Sequence, residues 1–290
     1  MQDEAFNLLL AEMRPRLHRY CARMAGSAID GDDIVQNVLI KAITAHASGA
    51  VIDNPTGWLF RIAHNAALDF LRKRNRQEVA QSDDELDMVA TPVMDAPDHD
   101  VIVVSFRTLL QLPVLQRCAV ILKDVLGHSV EEIADIAECS APAAKSALQR
   151  GRARLKELAS ETDDVRVPLL SDADRGRLST YVDCFRQGDF DAVRRMLADD
   201  VELDLVAKLR LKGKDRVDPY FTRYAQATNW QFSVGAVDGR PVMLVYDKNG
   251  PTLAPAHFVV LDWRADRIAG IRDFLFAPYA LEATDWLVLR

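Results

Sequence analysis

A chain of 290 residues, 49% hydrophobic and 27% charged, is long enough for two or three small domains, each with its own core. No apolar run approaches the ~18 residues of a membrane span, the start MQDEAFNLLL lacks the basic residues of a signal peptide, and Cys21, Cys118, Cys139 and Cys184 form no CxxC pair. The expectation is therefore a cytoplasmic chain, neither membrane-spanning nor secreted nor disulfide-built, with reduced thiols, no metal and no cofactor, the lone His18–Cys21 pair being too little to hold an ion.

The net charge of −7 conceals strong segmentation. Residues 77–105 carry eight acidic residues and neither lysine nor arginine, whereas the segments on either side are slightly basic. With two prolines and weak periodicity, 77–105 reads as a linker. It separates a first module, 1–76, from a second, 106–160, and a break near Thr162–Pro168 sets off a third module, 168–290.

The first module reads as helical. Asp30 and Asp33 have capping-box-like spacing before Ile34, Val35, Val38 and Ala42. A later helix opens with Asn54 as cap and Pro55 at its first position. Leu59, Ile62, Ala63, Ala66 and Phe70 recur on its inner face, and it ends in RKRNR, Arg72 to Arg76. Arg61, Asn65, Asp69 and Arg72 share another stripe. Asn and Asp are poor neutralisers of phosphate but suit hydrogen bonding to bases. Trp58 and Phe70 are assigned to packing.

In the second module Ser129 and Glu132 form a capping box for a short helix bearing Val130, Ile133, Ala134 and Ala137. A tight turn at Glu138 and Cys139 leads to Ser140, the cap of a longer helix with Pro142 in its first turn. Ala141, Ala144, Leu148, Gly151, Leu155 and Leu158 face inward, and Lys145, Ser146, Gln149, Arg150, Arg152 and Lys156 remain outside. A capped helix pair whose second member is basic outside is the helix-turn-helix pattern, with Gln and Ser to read base edges and Arg and Lys to meet phosphates.

These segments resemble a known family. DGDDIVQNVLIKA (30–42) is similar to the core-binding helix of sigma region 2, NPTGWLFRIAHNAALDFLRKRNR (54–76) to the −10 helix, and LPVLQRCAVILKDVLGHSVEEIADIAECSAPAAKSALQRGRARL (112–155) to sigma region 4. Their order resembles an extracytoplasmic-function sigma factor of the sigma-70 family over residues 5–158. The resemblance implies that Asp33, Gln36 and Asn37 dock on core RNA polymerase. It implies that Asn65 and Asp69, with Arg61, Arg72 and the loop before Asn54, contact the −10 element. It places Lys145, Ser146, Gln149 and Arg150 at the −35 element, and the acidic linker in the polymerase's nucleic-acid channel. Four positions depart from the family: Asn37 stands for a frequent Glu, Leu39 for Phe, Glu138 for the usual turn Gly and Ala147 for a common Arg.

The third module begins with helices near Leu178–Phe185 and Phe190–Leu197. Strand-like runs follow, VELDLV, WQFSVGAV, PVMLVYD, AHFVVLDW and RIAGIRDFLF, which predict an α+β domain with a mostly antiparallel sheet. YVDCFRQGDFDAVRRMLADDVELDL (181–205) is similar to SnoaL-like domains of the ketosteroid-isomerase-like cone fold. Some relatives of that fold are enzymes, which makes Asp204, Tyr220, His257 and Asp273 candidates by residue type, each assigned to a structural role first.

The expected architecture is two all-α sigma domains, the second with a helix-turn-helix, followed by an α+β SnoaL-like cone. The expected function is promoter-specific initiation with core polymerase and promoter DNA as partners, no membrane contact and no catalysis. The last domain would tune output, with or without a small-molecule ligand. The alternatives are a DNA-tethered SnoaL-like enzyme acting on a small hydrophobic substrate, and a simple helix-turn-helix regulator, which would have no use for a polymerase-docking helix.

Overall fold

The structure, a computed structural model, describes residues 2–50, 52–79, 106–158, 172–250, 254–282, 284 and 286–289. It divides into two compact units, Met1–Asp164 and Val165–Arg290. The expected linker lies outside the described residues beyond position 79, as does the break near 162–168.

The first unit is helical. α1 (Gln2–Ala25), α2 (Ala28–Ala47) and α3 (Pro55–Val79) pack together, and α3 runs three residues past the expected end of the first module. α4 (Phe106–Leu110), α5 (Val114–Val120), α6 (Val130–Ile136) and α7 (Ala141–Leu158) follow, with a π-helical turn over Ile121–Val125 continuing α5. One apolar core runs through all of them, joining Leu17, Phe60 and Ala63 of the early helices to Leu109, Ile121 and Ile133 of the later ones.

The caps explain where most of these helices begin. Asn54 Oδ1 accepts from Gly57 N at 3.0 Å, and Ser129 with Glu132 closes the full capping box, both as expected. The start of α2 differs. Ser27 is the cap, its hydroxyl accepting from Asp30 N at 3.3 Å, so Asp30 lies inside the first turn. Gly26, at φ +79°, ends α1 one residue earlier and leaves Ser27 in the extended geometry that a cap needs. On α3 the buried apolar residues are Leu59, Phe60, Ala63, Ala66, Ala67 and Leu71, with Ile62 and Phe70 only half-buried. Leu59, Ala63 and Ala66 are thus buried as expected, and the buried face widens toward Phe60, Ala67 and Leu71.

α1 and α2 approach closely at Gly31. A Cβ there would lie 2.6 Å from Ala22 Cα and 2.7 Å from Ala22 N, contacts with backbone that cannot swing aside. Beside it, Asp32 is fully buried and accepts from Arg14 at 2.7 Å and Gln36 Nε2 at 2.8 Å.

The second unit is α+β, as expected. α8 (Asp172–Gln187), α9 (Phe190–Met196) and α10 (Lys214–Gln226) accompany β1 (Leu197–Leu205), β2 (Leu209–Lys212), β3 (Trp230–Val237), β4 (Arg240–Asp247), β5 (His257–Arg264), β6 (Arg267–Asp273) and β7 (Trp286–Val288). The sheet order is β2-β1-β6-β5-β4-β3-β7, parallel between β1 and β6 and antiparallel elsewhere. The helix–helix–strand opening and the single mostly antiparallel sheet are those expected of the third module. Three elements were not anticipated, α10, β2 and β7. α10 carries Pro219 in its interior, which argues against a helix, yet Val217, Tyr220, Phe221 and Tyr224 at helical spacing are all buried. Its core is aromatic: Phe185 contacts Tyr181, Phe190, Phe221, Tyr224 and Phe232 with ring centroids 4.8–6.3 Å apart.

Gly31→Ala is expected to destabilise the first unit by about 1–3 kcal/mol, because the added methyl must separate α1 from α2. Chemical denaturation followed by circular dichroism measures this, and an unchanged midpoint would show that the helices can part there without cost.

Candidate nucleic-acid interface

α7 owes its position to small residues. Ala144, Ala147 and Gly151 are buried on its inner side with Leu148. A Cβ on Gly151 would come within 2.8 Å of Val120 Cγ2 and 3.2 Å of Gln116 O, so α5 and α7 are in close backbone approach. Ser140 Oγ accepts from Ala143 N at 3.3 Å and caps the helix. The preceding turn places Glu138 at φ +53°, the left-handed region in which a side chain costs ~1–2 kcal/mol. The departure from glycine is thus accommodated with strain.

The outer side of α7 carries Lys145, Gln149, Arg150, Arg152, Arg154 and Lys156 exposed, with Ser146 half-exposed. Arg150 Nη1 donates to Ser146 Oγ at 3.4 Å, and Arg152 is paired with Asp124. The four residues expected at the −35 element therefore share one accessible surface. Ala147 is buried, so packing occupies the position where a cation is common in the family.

On α3, Arg61, Asn65, Asp69 and Arg72 are all exposed. Arg72 Nη1 donates to Asp69 Oδ1 at 3.1 Å, an exposed pair worth little by itself. Among the neighbouring rings, His64 is buried against the Tyr20 hydroxyl, 2.7 Å from Nδ1, whereas Trp58 and Phe70 are half-buried against the core. On α2, Asn37 is exposed and Asp33 and Gln36 are half-exposed, so the three expected polymerase contacts lie on the accessible side. The exposed apolar residues Ile40 and Ile43 on the same helix were not anticipated.

The seam between the α1–α3 and α4–α7 segments is partly polar. Arg117 is buried and donates to Met24 O (2.7 Å), Leu110 O (2.9 Å) and Leu112 O (3.0 Å). Burial, with help from Arg74, lowers its pKa to about 10, so it stays charged at neutral pH. The Tyr20 hydroxyl, which meets His64, also donates to Cys118 Sγ at 3.4 Å, and burial pushes that thiol up to about 12. His128 meets Phe60 edge-on, with centroids 4.8 Å apart. Beside this contact a cleft of about 270 Å³ is lined by Asp53, Asn54, Trp58 and Arg61 from the start of α3, and by His128, Glu132 and Asp135 from α6 and its cap. The His18–Cys21 pair is structural: His18 Nε2 lies 2.9 Å from Ala28 O at the start of α2.

In the second unit, three of the four candidates chosen by residue type come together. Asp273, fully buried on β6, accepts from Tyr220 Oη at 3.0 Å and Tyr224 Oη at 2.9 Å, and its other oxygen accepts from Leu275 N at 2.9 Å. His257 Nε2 lies 2.9 Å from Tyr224 Oη and 3.6 Å from Asp273 Oδ1. Burial raises the pKa of both tyrosines, and the neighbouring carboxylate adds to the shift. Asp204 is elsewhere. It points to the other side of β1, where it pairs with Arg210 at 2.8 Å. Tyr224 escaped the sequence reading, although its spacing of four from Tyr220 on one helical face was available.

Two helical modules, the second ending in a helix-turn-helix with a cationic outer side, define a DNA-binding factor fused to an α+β domain. Residues 9–77 match the Sigma-70 region 2 family and residues 106–155 the Sigma-70, region 4 family. The ECF RNA polymerase sigma factor SigM of Mycobacterium tuberculosis is 31% identical over 155 residues, covering 53% of this chain and 76% of SigM. SigG of the same organism is 26% identical over 296 residues, 90% of this chain and 79% of SigG, so that similarity extends through the second unit. The ECF sigma-E factor of Escherichia coli is 30% identical over 161 residues, 52% of this chain and 84% of that protein. The chain belongs to the ECF RNA polymerase sigma factors, which direct promoter-specific initiation. Among its described helices, none is long and apolar enough to cross a membrane.

Burial lowers the pKa of His18, His64 and His128 from the usual 6.5, so they fold as neutral rings. The unfolded chain then takes up more protons as pH falls below about 6.5, and stability present above that value is lost through the lower folded pKa values. The first unit is therefore expected to melt several degrees lower at about pH 5.5 than at about pH 7.5. His64→Gln should flatten that dependence in differential scanning calorimetry; an unaltered slope would remove His64 from the titrating set.

Proposed function

We propose that the sigma activity is divided among three helical surfaces and tuned by the second unit. Lys145, Ser146, Gln149 and Arg150 on α7 read the −35 element. Arg61, Asn65, Asp69 and Arg72 on α3 contact the −10 element. Asp33, Gln36 and Asn37 on α2 dock on core polymerase, with Ile40 and Ile43 supplying apolar area beside them.

The observation that carries this reading is the two-sided build of α7. Its inner side is stripped to Ala, Gly and Leu so that the helix sits tightly on α5, while the outer side keeps Lys, Gln and Arg accessible. A solvated structural helix needs no such close seating; one that must enter a major groove at a fixed angle does. A bidentate base contact contributes about 1–3 kcal/mol of discrimination, so one helix gives modest specificity and a second reader on α3 adds to it. The Asn and Asp in the α3 stripe favour base contact there over simple charge neutralisation.

For the second unit we favour regulation over catalysis. Tyr220, Tyr224 and His257 are bonded to Asp273 or to one another in an aromatic core, an arrangement that a fully internal structural network explains. The unit would act by contact with the sigma modules or polymerase, and a bound small molecule would be one way to alter that contact.

Arg150→Ala is expected to weaken binding to a promoter fragment and to reduce the slope of log affinity against log salt by about one; an unchanged slope would strike Arg150 from the phosphate contacts. Truncation after Ala159 is expected to change run-off transcription with core polymerase while polymerase binding persists. Equal output from the two chains would end the regulatory reading of the second unit, and failure of the folded full chain to initiate would end the division of surfaces.

A further inference from the structure

The cations on the accessible side of α7 are not equally available to DNA. Lys145 forms no ion pair among the described residues, and Arg150 donates to a neutral group, the Ser146 hydroxyl. Arg154 pairs with Glu157 on its own helix at 2.9 Å. Arg152 is held from outside the helix. Its Nε donates to Asp124 Oδ2 at 3.0 Å and its Nη2 to Asp124 Oδ1, so both carboxylate oxygens are engaged. The contact raises the pKa of Arg152, the direct hydrogen bond contributing most. Such a two-point grip fixes the plane of the guanidinium as well as its place.

Asp124 stands on a firm support. It lies in the π-helical turn Ile121–Val125, closed by Leu126 N donating to Ile121 O at 3.2 Å and His128 N to Leu122 O at 2.9 Å. Turns of this kind are rare and gather at functional sites. The seating of α7 does not need the pair, because Gly151, the neighbouring residue, already brings the helix against Val120 and Gln116 of α5. With Arg152 42% and Asp124 33% exposed, the pair contributes little stability. What it changes is charge. Arg152 follows Gln149 by three residues and shares its side of the helix, and there the cation is cancelled.

The cancellation favours one kind of DNA over another. Phosphate contacts give affinity without sequence information, whereas Ser146 and Gln149 suit contacts to base edges. Arg152 lies about 9 Å further along α7 than Ser146. A helix whose orientation is set by base contacts has no freedom to turn toward a further phosphate; a helix resting on phosphates alone does. A released Arg152 therefore adds more to binding of non-promoter DNA than of promoter DNA. We infer that Asp124 is a specificity-determining residue, which withdraws Arg152 from phosphate contact and so limits the binding of α7 to non-promoter DNA. The inference rests on the assignment of the α7 surface to the −35 element.

The test measures fluorescence anisotropy of the full chain with two labelled duplexes of equal length. One carries the −35 element of a promoter defined by run-off transcription, and in the other that element is scrambled. Asp124→Ala is expected to tighten binding to the scrambled duplex roughly three- to ten-fold at low salt and to steepen its slope of log affinity against log salt by about one. Binding to the −35 duplex should stay within about two-fold. Arg152→Ala is expected to change neither duplex by more than about two-fold, and D124A/R152A to match R152A alone. The thermal midpoint of D124A should fall by no more than about 4 °C. A gain that survives in D124A/R152A, an equal gain on both duplexes, or weaker binding by D124A would each overturn the inference, and a midpoint lowered further would make the pair a structural brace instead. Arg150→Ala is the control. If R150A weakens binding while D124A changes nothing, the role of Asp124 falls and the −35 assignment stands; if R150A leaves affinity and salt slope unaltered, the assignment itself fails.

Discussion

A buried guanidinium must be met by acceptors, and Arg117 finds three in carbonyls from two separate pieces of the chain. Met24 lies in the last turn of α1, where unpaired carbonyls and the helix dipole favour a cation. Leu110 and Leu112 flank the junction between α4 and α5. Arg74 of α3 donates to the neighbouring Ala25 O at 2.7 Å, so two cations from different helices close the same helix end. The C-terminus of α1 thus fixes α3 on one side and α5 on the other. The shared apolar core, the seating of α7 and the cleft at α6 are arranged around that point. Losing one partner would strand a desolvated charge, which costs far more than the contact contributes when intact.

The two units solve the burial of polar groups differently. In the first, the buried Arg117 links the two helical modules by bonding to backbone carbonyls. In the second, Asp273 is satisfied by hydroxyls and a backbone N–H within a single core. A seam closed by a few directed bonds can be reopened by a competing surface, whereas a network inside a core is broken only by unfolding it.

Local chemistry was legible in the sequence. The capping box at Ser129 and Glu132, the Asn54–Pro55 start and the accessible cations of α7 each depend on residues within one or two turns. Errors arose where two local answers competed. Asp30–Asp33 has the same spacing as Ser27–Asp30, and the left-handed Gly26 decides between them. On α3 the pattern marks Ile62 and Phe70, which are only half-buried, and passes over Phe60, whose ring partner His128 lies more than sixty residues further on. The grouping of Tyr220, Tyr224, His257 and Asp273 was invisible for the same reason: it is made by a helix crossing two strands, and no periodicity encodes that. Family likeness supplied what spacing could not, the order of the two modules, and it left the exposed Ile40 and Ile43 unannounced.

The parallel pairing of β1 with β6 has a consequence in time. Leu203 and Asp204 align with Ile271 and Arg272, so β1 cannot join the main sheet until some seventy further residues have been made. The helices of the first unit are assembled from earlier contacts and collapse quickly once their own segment has cleared the ribosome. At about 5–20 residues per second, synthesis leaves an interval of many seconds in which the promoter-reading half is finished and its companion is still a loose tail. During each round of translation the nascent chain passes through a stage that a truncated gene would make permanent.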